Sequence, residues 1–283
     1  MLLCSKTYEF HKIWGIAKNF GRLPARRFCA ALLTALLLGG LAAGGETPAL
    51  PRLALGTRIE CPGVYPGHLQ GIATDGKSIY WVFSCNVVRT DLKGKLLAKA
   101  NIPFHGGDPC WYRGRLYVPV GSDFNRKRPK GKKSDEWICE FDSDLKLRKK
   151  YRLTTFQYGA GGVAAHDGRF FVVGGRPAKM PGNTVWEYDA RFKLRRRHQL
   201  EFDSEAGIQT INRAFGKWFL GCYGTNGCAI VADDGFKVVD RVRPPLSVGM
   251  IPLEDGLVLV GVVVWKKEGR DSTACAVVLK LRK

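Results

Sequence analysis

Short apolar runs recur along this chain, several of them alternating apolar and polar, and turns rich in glycine and aspartate separate them. The stretch Gly67-His68-Leu69-Gln70-Gly71-Ile72-Ala73-Thr74-Asp75-Gly76 sets the pattern: a small apolar segment runs into an Asp-Gly turn. A second run at 78–83 returns, a third at 87–90 ends on Asp91, and after Lys93-Gly94 a fourth covers 96–102. Period-two runs bounded by such turns predict strands, here one four-stranded antiparallel meander. The next unit opens the same way, with His105-Gly106-Gly107-Asp108.

The inner turn repeats as Asp75-Gly76, Arg113-Gly114, Asp167-Gly168, Phe215-Gly216 and Asp255-Gly256, with glycine-to-glycine steps of 38, 54, 48 and 40 residues. Glycine is required where a two-residue hairpin loop needs positive φ. A third run ends on an acid in four units, at Asp91, Asp142, Asp189 and Asp233. A carboxylate there can accept backbone N–H groups of the following turn. Four strands per unit at this period predict a β-propeller. The fifth unit runs out of chain after its third strand, 274–281, while a spare strand at 53–61 precedes the first unit. The expected fold is therefore all-β, a five-bladed propeller closed by the N-terminal strand pairing into the last blade. Such closure removes an open sheet edge.

Residues 1–45 break the pattern. Arg26-Arg27 precede an apolar run at 28–43 that ends in small residues. A charged start, an apolar centre and a small-residue end read as a secretory signal. Cleavage is expected between Ala42 and Glu46, or the run stays as an uncleaved anchor. Its 16 residues, two of them glycine, fall short of the ~20 a spanning helix needs. The organisation expected is a leader over 1–45 and one propeller over 46–283, exported to the periplasm or the extracellular space. The net charge is +20, and six Lys/Arg against one Glu in 1–45 supply five of those charges. The excess bears on solubility and attraction to anionic surfaces, and it leaves the fold open.

The repeats, with Gly-Ile-Ala, Asp-Gly, Ile-Tyr and Asp-Leu-Lys-Gly in order, resemble those of secreted bacterial propellers of the NHL- and lactonase-like class. His-Leu-Gln-Gly followed one unit later by His-Gly-Gly-Asp is similar to a pair in some uncharacterised members. The resemblance implies a blade architecture and no particular activity. Plant-type glutaminyl cyclotransferases carry a similar Gln-Gly at the start of an inner strand, but their acidic motifs do not occur in this sequence.

In a propeller the first strand of each blade lines the central channel, so the leading segments of all five units converge at its mouth. That gathers His68, Gln70, His105, Asp108, Tyr158 and Gln209 as candidate binding residues. Convergent polar groups in a concavity are the default site hypothesis. Two readings stand side by side. One is a divalent metal ion on His68, His105 and Asp108, since imidazole and carboxylate suit zinc-like ions. The other is a polar plug without metal. His166 and His198 read as surface residues.

Seven cysteines lie outside the leader, and Cys222 and Cys228 flank an Asn226-Gly227 turn that suggests a hairpin, with a disulfide or two buried thiols as alternatives. Cys110 reads as core. The run Arg126-Lys127-Arg128-Pro129-Lys130-Gly131-Lys132-Lys133 has no interleaved aromatics, which favours a solvated loop over nucleic-acid binding. Expected partners are a small molecule, a polysaccharide or an envelope protein, and the expected state is a monomer. Function stays divided between a ligand- or partner-binding module and a metal-dependent hydrolase or lyase at the same mouth.

Overall fold

Along residues 78–83, Ile79, Trp81 and Phe83 point to one side and Tyr80 and Val82 to the other, and both sets are buried. A strand apolar on both faces needs a sheet packed on each side, and a ring of blades supplies that at every position. In this computed structural model the residues described are 50–103, 105–121, 135–154, 156, 158–176, 181–266 and 270–282. The leader, Gln157 and the basic run at 126–133 lie outside them.

The first strand, β1 (Arg58–Pro66), is followed by five meanders. Blade one holds β2 (Leu69–Thr74), β3 (Ser78–Phe83), β4 (Asn86–Asp91) and β5 (Leu96–Asn101). In blade two the inner strand is split into β6 (His105–Gly106) and β7 (Cys110–Tyr112), followed by β8 (Arg115–Gly121), β9 (Glu136–Phe141) and β10 (Leu147–Leu153). Blade three comprises β11 (Ala160–His166), β12 (Arg169–Gly174), β13 (Asn183–Tyr188) and β14 (Leu194–Leu200). Blade four comprises β15 (Ile208–Ala214), β16 (Lys217–Cys222), β17 (Ala229–Ala232) and β18 (Val238–Val242). Blade five has β19 (Met250–Pro252), β20 (Leu257–Trp265) and β21 (Asp271–Lys280), and β1 pairs antiparallel with β21 as its fourth strand. The closing strand thus starts and ends five residues later than the expected 53–61. It bulges between Cys61 and Tyr65, where Gly63 takes φ 98° and the Tyr65 hydroxyl donates to the Pro62 carbonyl at 2.6 Å.

Five apolar clusters fill the five gaps between neighbouring blades. The one between blades five and one joins Ile59, Cys61 and Tyr65 of β1 to Leu69, Ile72, Trp81 and Phe83. The ring is therefore shut by packing as well as by hydrogen bonds. Four inner turns have both central residues at positive φ, for example Asp167 at 47° and Gly168 at 75°, as a type I′ hairpin requires. The first differs: only Gly76 is positive, and the Asp75 carboxylate accepts the N–H groups of Lys77 and Ser78. Each of the four acids at the third-strand ends accepts two backbone N–H groups of the next turn, as Asp189 does from Arg191 and Lys193 at 2.9 Å each. No helix among the described residues is long and apolar enough to cross a membrane.

Candidate functional site

Three inner strands carry an extra residue at the same place. Pairing slips between Leu69 and Gly71 in β2, between Ala160 and Gly162 in β11, and between Ile208 and Thr210 in β15. A bulged residue is left out of the ladder and its side chain is re-aimed. The residues so released are Gln70, Gly161 and Gln209, and all three line one cavity of about 230 Å³. His68, His105, Tyr158, Glu136 and Tyr223 line it as well. Five of the six candidates from the sequence are thus brought to one mouth.

The polar floor is a linked network. Nδ1 of His68 lies 2.8 Å from the Leu69 carbonyl, and Nδ1 of His105 lies 2.8 Å from the Gly106 carbonyl. A carbonyl can only accept, so each Nδ1 carries a proton, and in a neutral ring Nε2 is then the lone-pair nitrogen. The Gln70 amide nitrogen answers both, at 3.1 Å from His68 Nε2 and 3.4 Å from His105 Nε2. It also lies 3.4 Å from Ser84 Oγ. Burial holds the His68 imidazole below its ordinary pKa, against the pull of the Leu69 carbonyl and with a smaller contribution from His105. The two rings meet edge to face, with centroids 6.4 Å apart. Across the cavity, Gln209 donates to the Ala206 carbonyl at 3.1 Å. Glu136 accepts the Ala160 N–H at 3.1 Å, and it is the one carboxyl among the described lining residues, which include no Lys or Arg.

Asp108 is elsewhere. The inner strand of blade two breaks between β6 and β7, and Asp108 turns down to the axis with 0% exposure. Its carboxyl accepts the Ile211 N–H at 3.2 Å and the Asn212 side-chain amide at 3.0 Å. Asn212 in turn accepts the Met250 N–H at 3.3 Å. The Asp108 backbone bridges to blade three, donating to Gly161 at 2.7 Å and accepting from Val163 at 3.0 Å. A Cβ at Gly71 or Gly249 would collide with this carboxyl, so glycine is needed where blades one and five approach it. One residue of blade two therefore bonds to blades three and four and packs closely against blades one and five. The metal set His68, His105 and Asp108 is not assembled: the carboxyl is used below the mouth, and no three His, Cys, Asp or Glu among the described residues gather around one point.

Other sequence expectations are corrected locally. His198 is not a plain surface residue; its Nε2 lies 2.8 Å from the buried Glu187 carboxylate. The hairpin after β16 closes on Thr225 and Cys228 rather than on Cys222, because Asn226 and Gly227 take φ 54° and 72° and Cys228 donates to the Thr225 carbonyl at 3.1 Å. Cys222 and Cys228 are both free thiols. Cys110 packs beside the core between blades two and three, where burial raises its pKa.

Three residues at the mouth were missed in the sequence, Glu136 of the cavity lining among them. Tyr223 begins the loop between β16 and β17 and lines the cavity. Trp265, 52% exposed, ends β20 and lies 5.4 Å from the His68 ring. The only signal for it was the length of the valine-rich run before it.

No protein-family model and no curated protein sequence matches the chain. Solved structures do. A GH43_1 enzyme from Xanthomonas citri matches with a TM-score of 0.53 and 11% identity, over 78% of this chain and 91% of the enzyme. The GH43_1 enzyme from Xanthomonas citri complexed with xylose matches with a TM-score of 0.51 and 12% identity, over 76% and 89%. A protein of unknown function from Bacteroides caccae gives 0.49 and 12%, over 76% and 85%. At such identities the likeness to the Xanthomonas enzyme supports the propeller fold alone. The NHL- and lactonase-like assignment rests on the repeats only.

Proposed function

We propose that the channel mouth binds a small, uncharged polar ligand, and that the chain acts outside the cytoplasm as a ligand- or partner-binding module. The observation that carries this is the convergence of His68, Gln70, His105 and Gln209 on one cavity with no cationic lining residue among those described. The volume is below the roughly 300–1,000 Å³ of pockets for drug-sized molecules, so a single-ring ligand or the end of a longer one fits. Bulges aim the two glutamines, and backbone carbonyls fix both imidazoles. A floor held this way is pre-organised, which limits the ordering cost of binding.

The competing reading is a hydrolase or lyase at the same place. Paired-carboxylate glycoside hydrolysis needs two acids flanking the bond, whereas the described lining holds Glu136, which is engaged with Ala160. A thermal-shift screen of neutral polar compounds decides between them. The binding reading expects a hit that raises the melting point of the wild type and not that of His68→Ala or His105→Ala, while the unliganded variants melt near wild type. Hits indifferent to both substitutions sink it, and turnover of a hit moves the protein to the enzyme class. Export is tested separately, by N-terminal sequencing of the protein recovered outside the cytoplasm, with a start between 43 and 46 expected.

A further inference from the structure

We infer that the ligand at this mouth is a carbohydrate ring whose C–H face stacks on Trp265 and whose hydroxyls join the His68–Gln70–His105 network. The inference rests on the ligand-binding reading above and adds the chemical class.

Blade five is built differently from the others. Its second and third strands have nine and ten residues, against six and four for the corresponding β16 and β17 of blade four. The extra length carries the ladder outward to the pair Trp265–Ser272, its last rung. The overhang sets the indole beside His68, at 5.4 Å between centroids and 52° between planes, with half its surface exposed. A large aromatic left exposed on a regular strand beside a polar cavity offers a platform for a flat apolar face. Tyr223, 37% exposed, lines the same cavity from blade four.

The ligand must satisfy both surfaces. A purely apolar molecule would desolvate the open polar edges of two amides and two imidazoles and offer no hydrogen bond in return. An anion would meet Glu136 with no cation in the described lining. A sugar ring has the required two-sidedness: axial C–H groups make an apolar face, and the hydroxyls around its edge both donate and accept. Hydroxyls can therefore meet the Nε2 lone pairs and the amides of Gln70 and Gln209 without leaving a group unpaired. A cavity of about 230 Å³ takes one such ring and leaves the rest of a chain outside.

The test is calorimetric titration of the whole propeller with D-glucose, D-galactose, D-mannose, D-xylose and N-acetyl-D-glucosamine, with adenine and benzamide as flat non-sugar probes. At least one sugar is expected to bind in the millimolar range. Trp265→Ala should weaken it by roughly tenfold or more, as for other rings stacked on aromatics. Trp265→Phe should stay within about threefold, and neither change should move the unliganded melting point of a half-exposed position. No heat with any of the sugars up to roughly 50 mM, far above a weak Kd, overturns the inference. So does a sugar affinity unchanged in Trp265→Ala. If adenine or benzamide binds and His68→Ala abolishes it, the mouth remains a binding site and only the carbohydrate assignment falls. If none of these probes binds and the neutral screen gives no hit, both readings fall.

Discussion

Replacing Asp108 should loosen the whole ring rather than one blade. In Asp108→Ala the Ile211 N–H and the Asn212 amide lose their acceptor in a site with 0% exposure. A buried donor left unpaired costs about 1–3 kcal/mol, so two cost roughly 2–6. Removing a carboxyl whose charged form is penalised by burial offsets part of this, and a net loss of about 3 kcal/mol remains. For a domain of this size that is a fall of roughly 6–12 °C in melting temperature. Asp108→Asn keeps a carbonyl oxygen for both donors and should lose far less. The pH profiles supply a second readout. Burial raises the Asp108 carboxyl well above its ordinary value, against the opposing pull of the Ile211 and Asn212 N–H groups. The native state then holds more protons than the unfolded chain across the window from the ordinary carboxyl value up to the raised one. The contribution of Asp108 to stability is full below that window and declines as pH rises through it. Wild type should therefore lose stability relative to Asp108→Asn between acidic and neutral pH. Thermal melts followed by circular dichroism at several pH values measure both effects. An alanine variant melting within about 2 °C of wild type, when roughly three times that is expected, would refute the axial tie. Parallel pH profiles for wild type and Asp108→Asn would refute the protonation argument.

The third-strand acids should act with the opposite sign: turn N–H groups, above all those of Lys95, Lys146 and Lys193, lower the pKa of Asp91, Asp142 and Asp189. Their contribution is present above the ordinary carboxyl value and lost as pH falls, so changing all three to Asn should flatten the acid limb of the stability curve; an unaltered acid midpoint counts against it. Deleting the chain up to Pro66 removes the buried Ile59, Cys61 and Tyr65, at about 1.5–3 kcal/mol for each large apolar side chain and so roughly 4–9 kcal/mol together. That rivals the stability of a whole domain, so the shortened chain should aggregate or melt without cooperativity, and a normal sharp transition speaks against ring closure by β1. Among the propeller cysteines, exposed Cys85 should be the first to react with a thiol reagent under native conditions, while buried Cys61 and Cys222, both raised to about 12, stay silent until unfolding; early modification of either contradicts this packing.

Much of the architecture was legible because it is local or periodic. Turn chemistry fixed the hairpins, as at Asp167-Gly168, and the count of such turns fixed five blades. The missing fourth strand of the last blade pointed to the N-terminal segment, and β1 does fill that place. Topology alone also brought His68, Gln70, His105, Tyr158 and Gln209 to one mouth. What stayed hidden was the direction of individual side chains. A side chain's face in a strand depends on register, and a single bulged residue inverts it. The sequence carries no mark that Gln70 and Gln209 are such residues. Nor does it show that the break between β6 and β7 sends Asp108 to the axis, where Gly71 and Gly249 from distant parts of the chain leave room for it. Trp265 meets His68 for a similar reason: its distance from that ring is set by how far β20 and β21 extend. Local pattern determines which elements form and how many there are. Which of their polar groups meet is decided by the offsets between blades, and those arise only when the ring closes.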